Sequence, residues 1–259
     1  IPKTIDNDLP HTDFCPGYPS CARFFAQATV DLGMDIGSLP TPVSILEVLG
    51  RNAGWLTAAT ALARRDPDDA PHLIYVPEHP FSPTRFLADV QQVYDRLGWA
   101  VVAVSEGLCD GQGRPVGAVA AGAAVDGFGH ALPGDVAPAL ARLVTEELGL
   151  RARSEKPGLV GRAASHQVSG VDRRVAEEVA RFGARQAFSG HTDFMAAVER
   201  VADAEFSYQR VPLNEVANIE RCLPRPYITD SGNDIAPSFA EYAEPLLGGP
   251  LRWYERLER

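Results

Sequence analysis

Residues 42–105 read PVSILEVLGRNAGWLTAATALARRDPDDAPHLIYVPEHPFSPTRFLADVQQVYDRLGWAVVAVS. Three short apolar runs in this segment predict strands at Pro42–Val48, His72–Val76 and Trp99–Val104. Helical patterns separate the strands: an Ala-rich helix over Trp55–Arg65, and a second helix that Ser82 caps and Pro83 begins. Strands separated by helices of this length are typical of βαβ units, whose parallel sheet needs helical crossovers. The fold class is therefore α/β.

The flanking sequence extends this alternation. Apolar residues at helical spacing predict a helix over Ser20–Asp31 with Ser20 as its cap, and Asp135 is placed to cap a helix that ends at Gly149. Cys109–Gly134 is rich in Gly and Ala, and we expect a long surface loop there. Five further elements are predicted: a strand at Arg151–Ser154, a helix at Asp172–Phe188, a strand at Phe194–Arg200, a short helix at Asn214–Glu220 and a final helix at Pro237–Leu247.

Composition and charge exclude several classes of function. With 259 residues, 45% hydrophobic and 22% charged, the chain is long enough for one large globular domain or two small ones. Its formal net charge of −10 argues against a general nucleic-acid binder. The apolar runs are far too short to span a membrane. The four cysteines fit neither a zinc spacing nor a disulfide framework, so we expect reduced thiols in a cytoplasmic protein.

The first eight residues, IPKTIDND, concentrate polar chemistry in Lys3, Thr4, Asp6, Asn7 and Asp8. Phosphoryl transfer to an alcohol needs a carboxylate that accepts the hydroxyl proton, another that holds Mg²⁺, and cations near the migrating group. In a strand-end or loop backbone Asp6 and Asp8, two positions apart, would project the same way and could share one site. The same residues would equally form a solvated turn, because Asp and Asn cap turns by themselves.

Four blocks of the sequence resemble, in order, those of the phosphofructokinase family. The blocks are PKTIDND at Pro2–Asp8, EVLGRNAGWL at Glu47–Leu56, PEHPF at Pro77–Phe81 and SEG at Ser105–Gly107. The resemblance covers nearly all of the chain and is greatest to the longer bacterial branch that includes diphosphate-dependent enzymes. It implies two Rossmann-like α/β/α lobes: residues 1–14 would be the catalytic loop of the larger lobe, 15–158 the smaller sugar-phosphate-binding lobe, and 159–259 the C-terminal helices of the larger lobe with a tail that returns to the smaller lobe.

The resemblance implies a role for each residue of the opening motif. Asp6 matches the base that deprotonates the sugar 1-hydroxyl, and Asp8 matches the carboxylate near Mg²⁺. Thr4 would contact the substrate beside them as a further catalytic residue. Lys3 stands where diphosphate-using enzymes carry lysine and typical bacterial ATP-using enzymes carry glycine, so it would set the donor specificity.

Further substrate-binding residues are implied at Leu49, Gly50, Arg51, Glu78, Arg153 and Arg162. Arg51 would also face the transferring group, where a planar fork of donors suits phosphate oxygens. Glu78 would accept sugar hydroxyl protons, and Arg153 and Arg162 would contact the 6-phosphate. Asp172-Arg173 also matches a family dipeptide, which we interpret as helix capping and structural pairing. Outside this context each arginine and glutamate would be an ordinary solvated residue.

Several positions depart from the family pattern. Leu49 replaces the usual methionine, a change that conserves volume. Pro42 stands where many members carry an arginine that reaches a neighbouring subunit's sugar phosphate, and no replacement for that charge is evident. Leu159 and Gly161 replace polar residues that are frequent beside Arg162. The reaction class is therefore better defined by the sequence than the sugar specificity.

The expected reaction is transfer of a phosphoryl group from inorganic diphosphate to the 1-hydroxyl of fructose 6-phosphate, a step of glycolysis, with Mg²⁺ as cofactor and a homodimer or homotetramer as the assembly. An ATP-dependent 6-phosphofructokinase and a non-catalytic sugar-phosphate-binding or assembly subunit are the alternatives, and Asp6 and Asp8 speak against the second. Family members carry glycine-rich motifs for the donor phosphates before the catalytic loop. Because this chain begins at Ile1, after those motifs, we expect the isolated chain to be inactive.

Overall fold

The computed structural model describes residues 1–117, 135–202 and 205–255. Within these ranges the helices are α1 Tyr18–Ile36, α2 Trp55–Ala59, α3 Pro83–Leu97, α4 Val136–Leu148, α5 Leu159–Ala163, α6 Gly170–Phe188 and α7 Ser238–Ala243. The strands are β1 Val43–Val48, β2 Leu73–Tyr75, β3 Ala100–Ser105, β4 Ala152–Glu155, β5 Phe194–Ala202 and β6 Glu205–Pro212. No helix in the described part of the chain is long and apolar enough to cross a membrane.

A four-stranded parallel sheet organises the molecule. Its strand order is β2-β3-β1-β4, and each neighbouring pair is parallel. All residues of β1 and β3 are buried, as expected for central strands that helices cover on both faces. The register pairs Val48 with Ser105, so the two central strands end at the same level. The predicted α/β class is confirmed, and the residues that follow these strands meet at one edge of the sheet.

Two apolar clusters sandwich this sheet. Ile45 and Val104 face a cluster that includes residues of α3 and α4. Leu46 and Ala103 face the other cluster, which includes residues of α1, α2 and the C-terminal elements. Phe25 of α1 is fully buried there, and burial of such a side chain stabilises the fold by about 1.5–3 kcal/mol. The C-terminal part of the chain is thus joined to the parallel sheet through shared packing.

A second sheet consists of β5 and β6, which pair antiparallel from Phe194 opposite Pro212 onward. α6 packs against it, and Val175 and Val179 of α6 share a core cluster with Ala196 and Val198. The strand predicted at Phe194–Arg200 is confirmed as part of β5. β6 was not predicted, because most of its side chains are exposed or half-buried and its sequence lacks a clear apolar alternation.

Some predicted elements differ from the structure. α1 begins at Tyr18, so Ser20 lies inside its first turn and is not its cap, and its hydroxyl donates to Asp172 instead. The predicted helix over Trp55–Arg65 is an α-helical turn followed by a 3-10 helix at Thr60–Ala63. The final helix likewise changes to 3-10 geometry after Ala243. Instead of a helix over Asn214–Glu220 the chain forms one 3-10 turn at Leu213–Glu215. Of the loop predicted over 109–134, residues 118–134 lie outside the described part.

Candidate active site

The turn that follows β1 is fastened to the residues that follow β3. The Ser105 hydroxyl donates to the Gly50 carbonyl at 2.6 Å, and the Gly50 amide donates to Glu106 Oε1 at 3.1 Å. Gly50 has a φ of +123°, a backbone conformation that favours glycine. A Cβ on Gly107 would lie 1.5 Å from the Arg51 carbonyl oxygen, so only glycine permits this approach. These contacts place Arg51 and Glu106 side by side at the carboxyl edge of the sheet.

The catalytic loop is built around a turn at Asn7. Asn7 has a φ of 58° and is fully buried; its Oδ1 accepts from the Cys15 amide at 2.9 Å and its Nδ2 donates to the Tyr242 hydroxyl at 2.8 Å. Because Asn7 is left-handed, the backbone between Asp6 and Asp8 is a loop and not a strand end. The Thr4 hydroxyl accepts from the Asp6 amide at 3.1 Å.

The carboxyl of Asp6 is destabilised as an anion. Burial raises its pKa from 3.8 to about 6, and the negative charges of Asp8 and Glu106 act in the same direction. The positive charges of Arg162 and Arg51 oppose this rise in the pKa. Three carboxylates and two guanidiniums thus act on one another here, although they come from separate parts of the sequence. At neutral pH Asp6 remains an anion and has the proton affinity of a general base.

Two half-buried glutamates, Glu78 and Glu106, lie at loops that follow strands of the parallel sheet. Glu78 Oε1 accepts from the amides of Gly54 and Leu223 at 2.8 and 2.7 Å, which fastens α2 to the C-terminal segment. Burial raises the pKa of both glutamates, and the negative charge of Glu106 raises the pKa of Asp6. The sugar-binding role of Glu78 stays a prediction. Glu106 is a further acid of the site that the sequence analysis did not assign, and its position directly after a buried parallel strand was a signal that could have identified it.

The two predicted phosphate-binding arginines lie in different surroundings. Arg162 lies on α5, and its charge acts on Asp6. α5 approaches α1 closely because Gly161 lacks a side chain: a Cβ there would lie 2.9 Å from the Phe25 ring. That contact explains a glycine in place of a polar residue. Arg153 pairs with Ser44 in the register of β4 and β1, is exposed, and forms an ion pair with Glu155 at 2.8 Å. The predicted contact of Arg153 with the 6-phosphate stays a prediction.

Lys3 and Leu49 are two further residues for which the sequence predicted a role in the site. Lys3 is exposed, and its Cε lies 3.5 Å from where a Cβ on Gly17 would sit, beside the start of α1. Leu49 is half-buried and packs against the cluster that contains α1 and α2. The donor role of Lys3 stays a prediction.

Asp172 supports the segment that follows the catalytic loop. Its carboxylate accepts from the amides of Gly17 and Ser20 at 2.8 and 3.1 Å, and from the Ser20 hydroxyl at 2.5 Å. Its own helix is capped by Ser169, whose hydroxyl accepts from the Asp172 amide at 3.2 Å. The interpretation of Asp172 as a capping residue holds, but the helix that it caps is α1.

Two further contributors come from the C-terminal part of the chain. The Tyr242 hydroxyl donates to the Asp13 carbonyl at 2.8 Å, and Arg221 Nη2 donates to the Asn7 carbonyl at 2.9 Å. Arg221 is 214 positions from Asn7 in the sequence, so no local pattern connects the two residues.

Comparison with known proteins agrees with this architecture. Residues 1–186 match the phosphofructokinase family model, and the chain belongs to this family. It is 41% identical over 96% of its length to the pyrophosphate–fructose 6-phosphate 1-phosphotransferases of Xanthomonas campestris and Rhodospirillum rubrum. The crystal structure of a pyrophosphate-dependent phosphofructokinase from Nitrosospira multiformis superposes with a TM-score of 0.84 at 34% identity, over 98% of this chain and 61% of that one. The chain spans 60% and 62% of the length of the two enzymes named first.

Proposed function

We propose that this protein transfers a phosphoryl group from inorganic diphosphate to the 1-hydroxyl of fructose 6-phosphate, giving fructose 1,6-bisphosphate. The observation that carries the proposal is the carboxyl of Asp6, whose pKa of about 6 suits a general base at neutral pH and which lies among Arg51, Arg162 and Glu106. The names of the two bacterial relatives support the same donor and acceptor.

Each residue of the site would have its own role in the reaction. The proton of the sugar hydroxyl moves to Asp6 while the hydroxyl oxygen bonds to phosphorus and inorganic phosphate leaves. Arg51 and Arg162 stabilise the negative charge on the phosphates, which is the main requirement of phosphoryl transfer. Glu106 and Thr4 lie beside Asp6 and would orient the sugar through its hydroxyl groups.

Asp8 is the residue that would hold Mg²⁺. Its carboxylate lies close enough to Asp6 to raise the pKa of that residue, so a cation here would meet an oxygen ligand and excess negative charge. In the part of the chain that the structure covers, no group of three or more His, Cys, Asp or Glu could hold a metal ion. This fits Mg²⁺, which is commonly bound through one or two carboxylates together with water and substrate phosphates. When bound, the ion would neutralise charge on the donor.

Diphosphate is favoured over ATP because Lys3 adds a positive charge at the start of the catalytic loop. A non-catalytic subunit is disfavoured, since such a protein would not need a half-buried Asp6 with a raised pKa. The four cysteines are free, which supports the predicted location in the reducing cytoplasm. The homodimer or homotetramer stays a prediction.

The test is an assay of the intact protein for fructose 1,6-bisphosphate, with diphosphate and with ATP at matched concentrations. We expect turnover with diphosphate, and a loss of about 10²- to 10⁴-fold in kcat on Asp6→Ala, the usual size of a general-base contribution. Asp95→Asn, on the exposed face of α3, is the matched control and should leave kcat unchanged. Preference for ATP would overturn the donor assignment, and near-wild-type kcat in Asp6→Ala would overturn the role of Asp6.

A further inference from the structure

Arg221 fastens the catalytic loop at two points, the turn at Asn7 and the segment Thr12–Asp13. Its guanidinium makes four hydrogen bonds, all to backbone carbonyls: two to Asn7 at 3.1 and 2.9 Å, one to Thr12 at 2.5 Å and one to Asp13 at 3.0 Å. Its backbone amide donates a fifth, at 2.7 Å, to the carbonyl of Asp8. Asn7, Thr12 and Asp13 are therefore held together by one side chain that comes from the C-terminal part of the chain.

Arg221 also contacts Trp55, which follows the turn that carries Arg51. Its guanidinium carbon lies 4.6 Å from the centre of the Trp55 ring, a cation–π geometry, and Trp55 Nε1 donates to the Arg221 carbonyl at 3.0 Å. Trp55 is buried and begins α2, directly after the turn that carries Arg51. Arg221 thus connects the loop of Asp6 to the turn of Arg51.

The chemistry of this position requires arginine. A guanidinium offers five donors in a rigid plane and stacks on an aromatic ring, whereas a lysine ammonium offers three donors at one point. Asn7 is in the left-handed region with a φ of 58°, which asparagine adopts more readily than most residues other than glycine. The two hydrogen bonds from Arg221 to its carbonyl hold the turn in this conformation.

We propose that Arg221 is a positioning residue for phosphoryl transfer, which holds the catalytic loop against Trp55 so that Asp6 and Arg51 meet the substrates in one arrangement. It acts through the carbonyls of the loop and the indole ring. The inference rests on the proposed function, because positioning has meaning only for a reaction that occurs.

The experiment compares two arginines of the intact protein. Arg23 is the matched control, because its guanidinium also donates to three carbonyls, those of Leu247, Gly249 and Pro250, and binds the C-terminal segment rather than the catalytic loop. We expect Arg221→Lys to lower kcat by about 10- to 100-fold, since small displacements of reacting groups have effects of this size. Arg23→Lys should lose stability and keep its kcat. Wild-type kcat in correctly folded Arg221→Lys would overturn the proposal.

The split between kcat and KM separates positioning from a loss of folded enzyme. Arg221 donates to carbonyls of the loop, so a loosened loop should lower kcat, while the KM for fructose 6-phosphate stays near the wild-type value. Circular dichroism gives the folded fraction by which kcat is divided. A loss of kcat that disappears after this division would indicate a merely structural role and overturn the proposal.

Two further measurements keep the test decisive if Arg221→Lys is poorly folded. Added guanidinium ion should restore part of the kcat of Arg221→Ala and have no effect on Arg23→Ala. Trp55→Phe keeps a ring but loses the indole donor to the Arg221 carbonyl, and should show a several-fold loss of kcat with a KM near the wild-type value. Failure of both would contradict the proposal. Absence of turnover in the wild-type protein would contradict the proposed function instead.

Discussion

The loops that contain Asp6 and Asp110 hold their carboxylates in opposite ways. Asp110 is half-buried, and hydrogen bonds from the amides of Arg114 and Gln112 and from the Arg114 side chain lower its pKa. Asp6 is also half-buried, but desolvation and the like charges of Asp8 and Glu106 raise its pKa to about 6. Hydrogen-bond donors that point at a carboxylate stabilise its negative charge and lower its pKa, which suits a structural role. Desolvation near other acids raises the pKa and so increases the affinity for a proton. The difference separates the acid that shapes a turn from the acid that can perform chemistry.

Removal of a guanidinium should have a large effect at one loop and none at the other. Arg51→Met removes a positive charge that acts on Asp6 and would face the transferring phosphoryl group. We expect kcat to fall by about 10²- to 10³-fold, as when one stabilising donor is removed from a transition state. Arg114→Met, which removes the ion pair with Asp110, should leave kcat unchanged. Equal kcat values in steady-state assays of the two variants would contradict the comparison.

The pH dependence of kcat/KM should follow Asp6. Because the base must be ionised, kcat/KM should fall below about pH 6, tenfold for each further pH unit. Glu106→Gln removes a negative charge that raises the pKa of Asp6, so its acid limb should lie at lower pH. Asp110→Asn should leave the limb in place. An acid limb near pH 4 in the wild-type protein would show that Asp6 is not destabilised as an anion.

Stability should change in opposite directions at the two aspartates. The folded-state pKa of Asp6 is raised, so the folded state binds more protons than the unfolded state between about pH 4 and 6, and stability falls as pH rises through that window. At pH 7.5 Asp6→Asn should therefore stabilise the protein by about 1–2 kcal/mol, a few degrees in Tm. The pKa of Asp110 is lowered, so its contribution is present at neutral pH and lost in acid. Asp110→Asn should lower Tm slightly in the same calorimetric series.

Local patterns predicted most of the parallel sheet. β1, β2 and β3 are short apolar runs between helical patterns, and Ser82 and Pro83 mark the start of α3 correctly. Ser20 misled the prediction because the carboxylate that serves the start of α1 comes from Asp172, 152 positions away. β6 was missed because pairing with its neighbour rather than an apolar pattern defines it.

The site was predictable where motifs are contiguous and unpredictable where it is assembled over distance. Asp6, Asp8, Arg51 and Arg162 lie together, as the resemblance to the family implied. The close approach of Arg51 to Gly107 and the hydrogen bond from Gly50 to Glu106 depend on the level at which two strands end. A short stretch of sequence does not show at which level two strands of a sheet end relative to each other.

Direct titration of the two aspartates tests the central claim. With ¹³C-labelled aspartate in the intact protein, and Asp6→Asn and Asp110→Asn to assign the two signals, carboxyl NMR shifts can be followed against pH. We expect a pKa of about 6 for Asp6 and a pKa below 3.8 for Asp110. A pKa for Asp6 at or below the ordinary value of 3.8 would contradict it, because Asp6 would then be stabilised as an anion like Asp110.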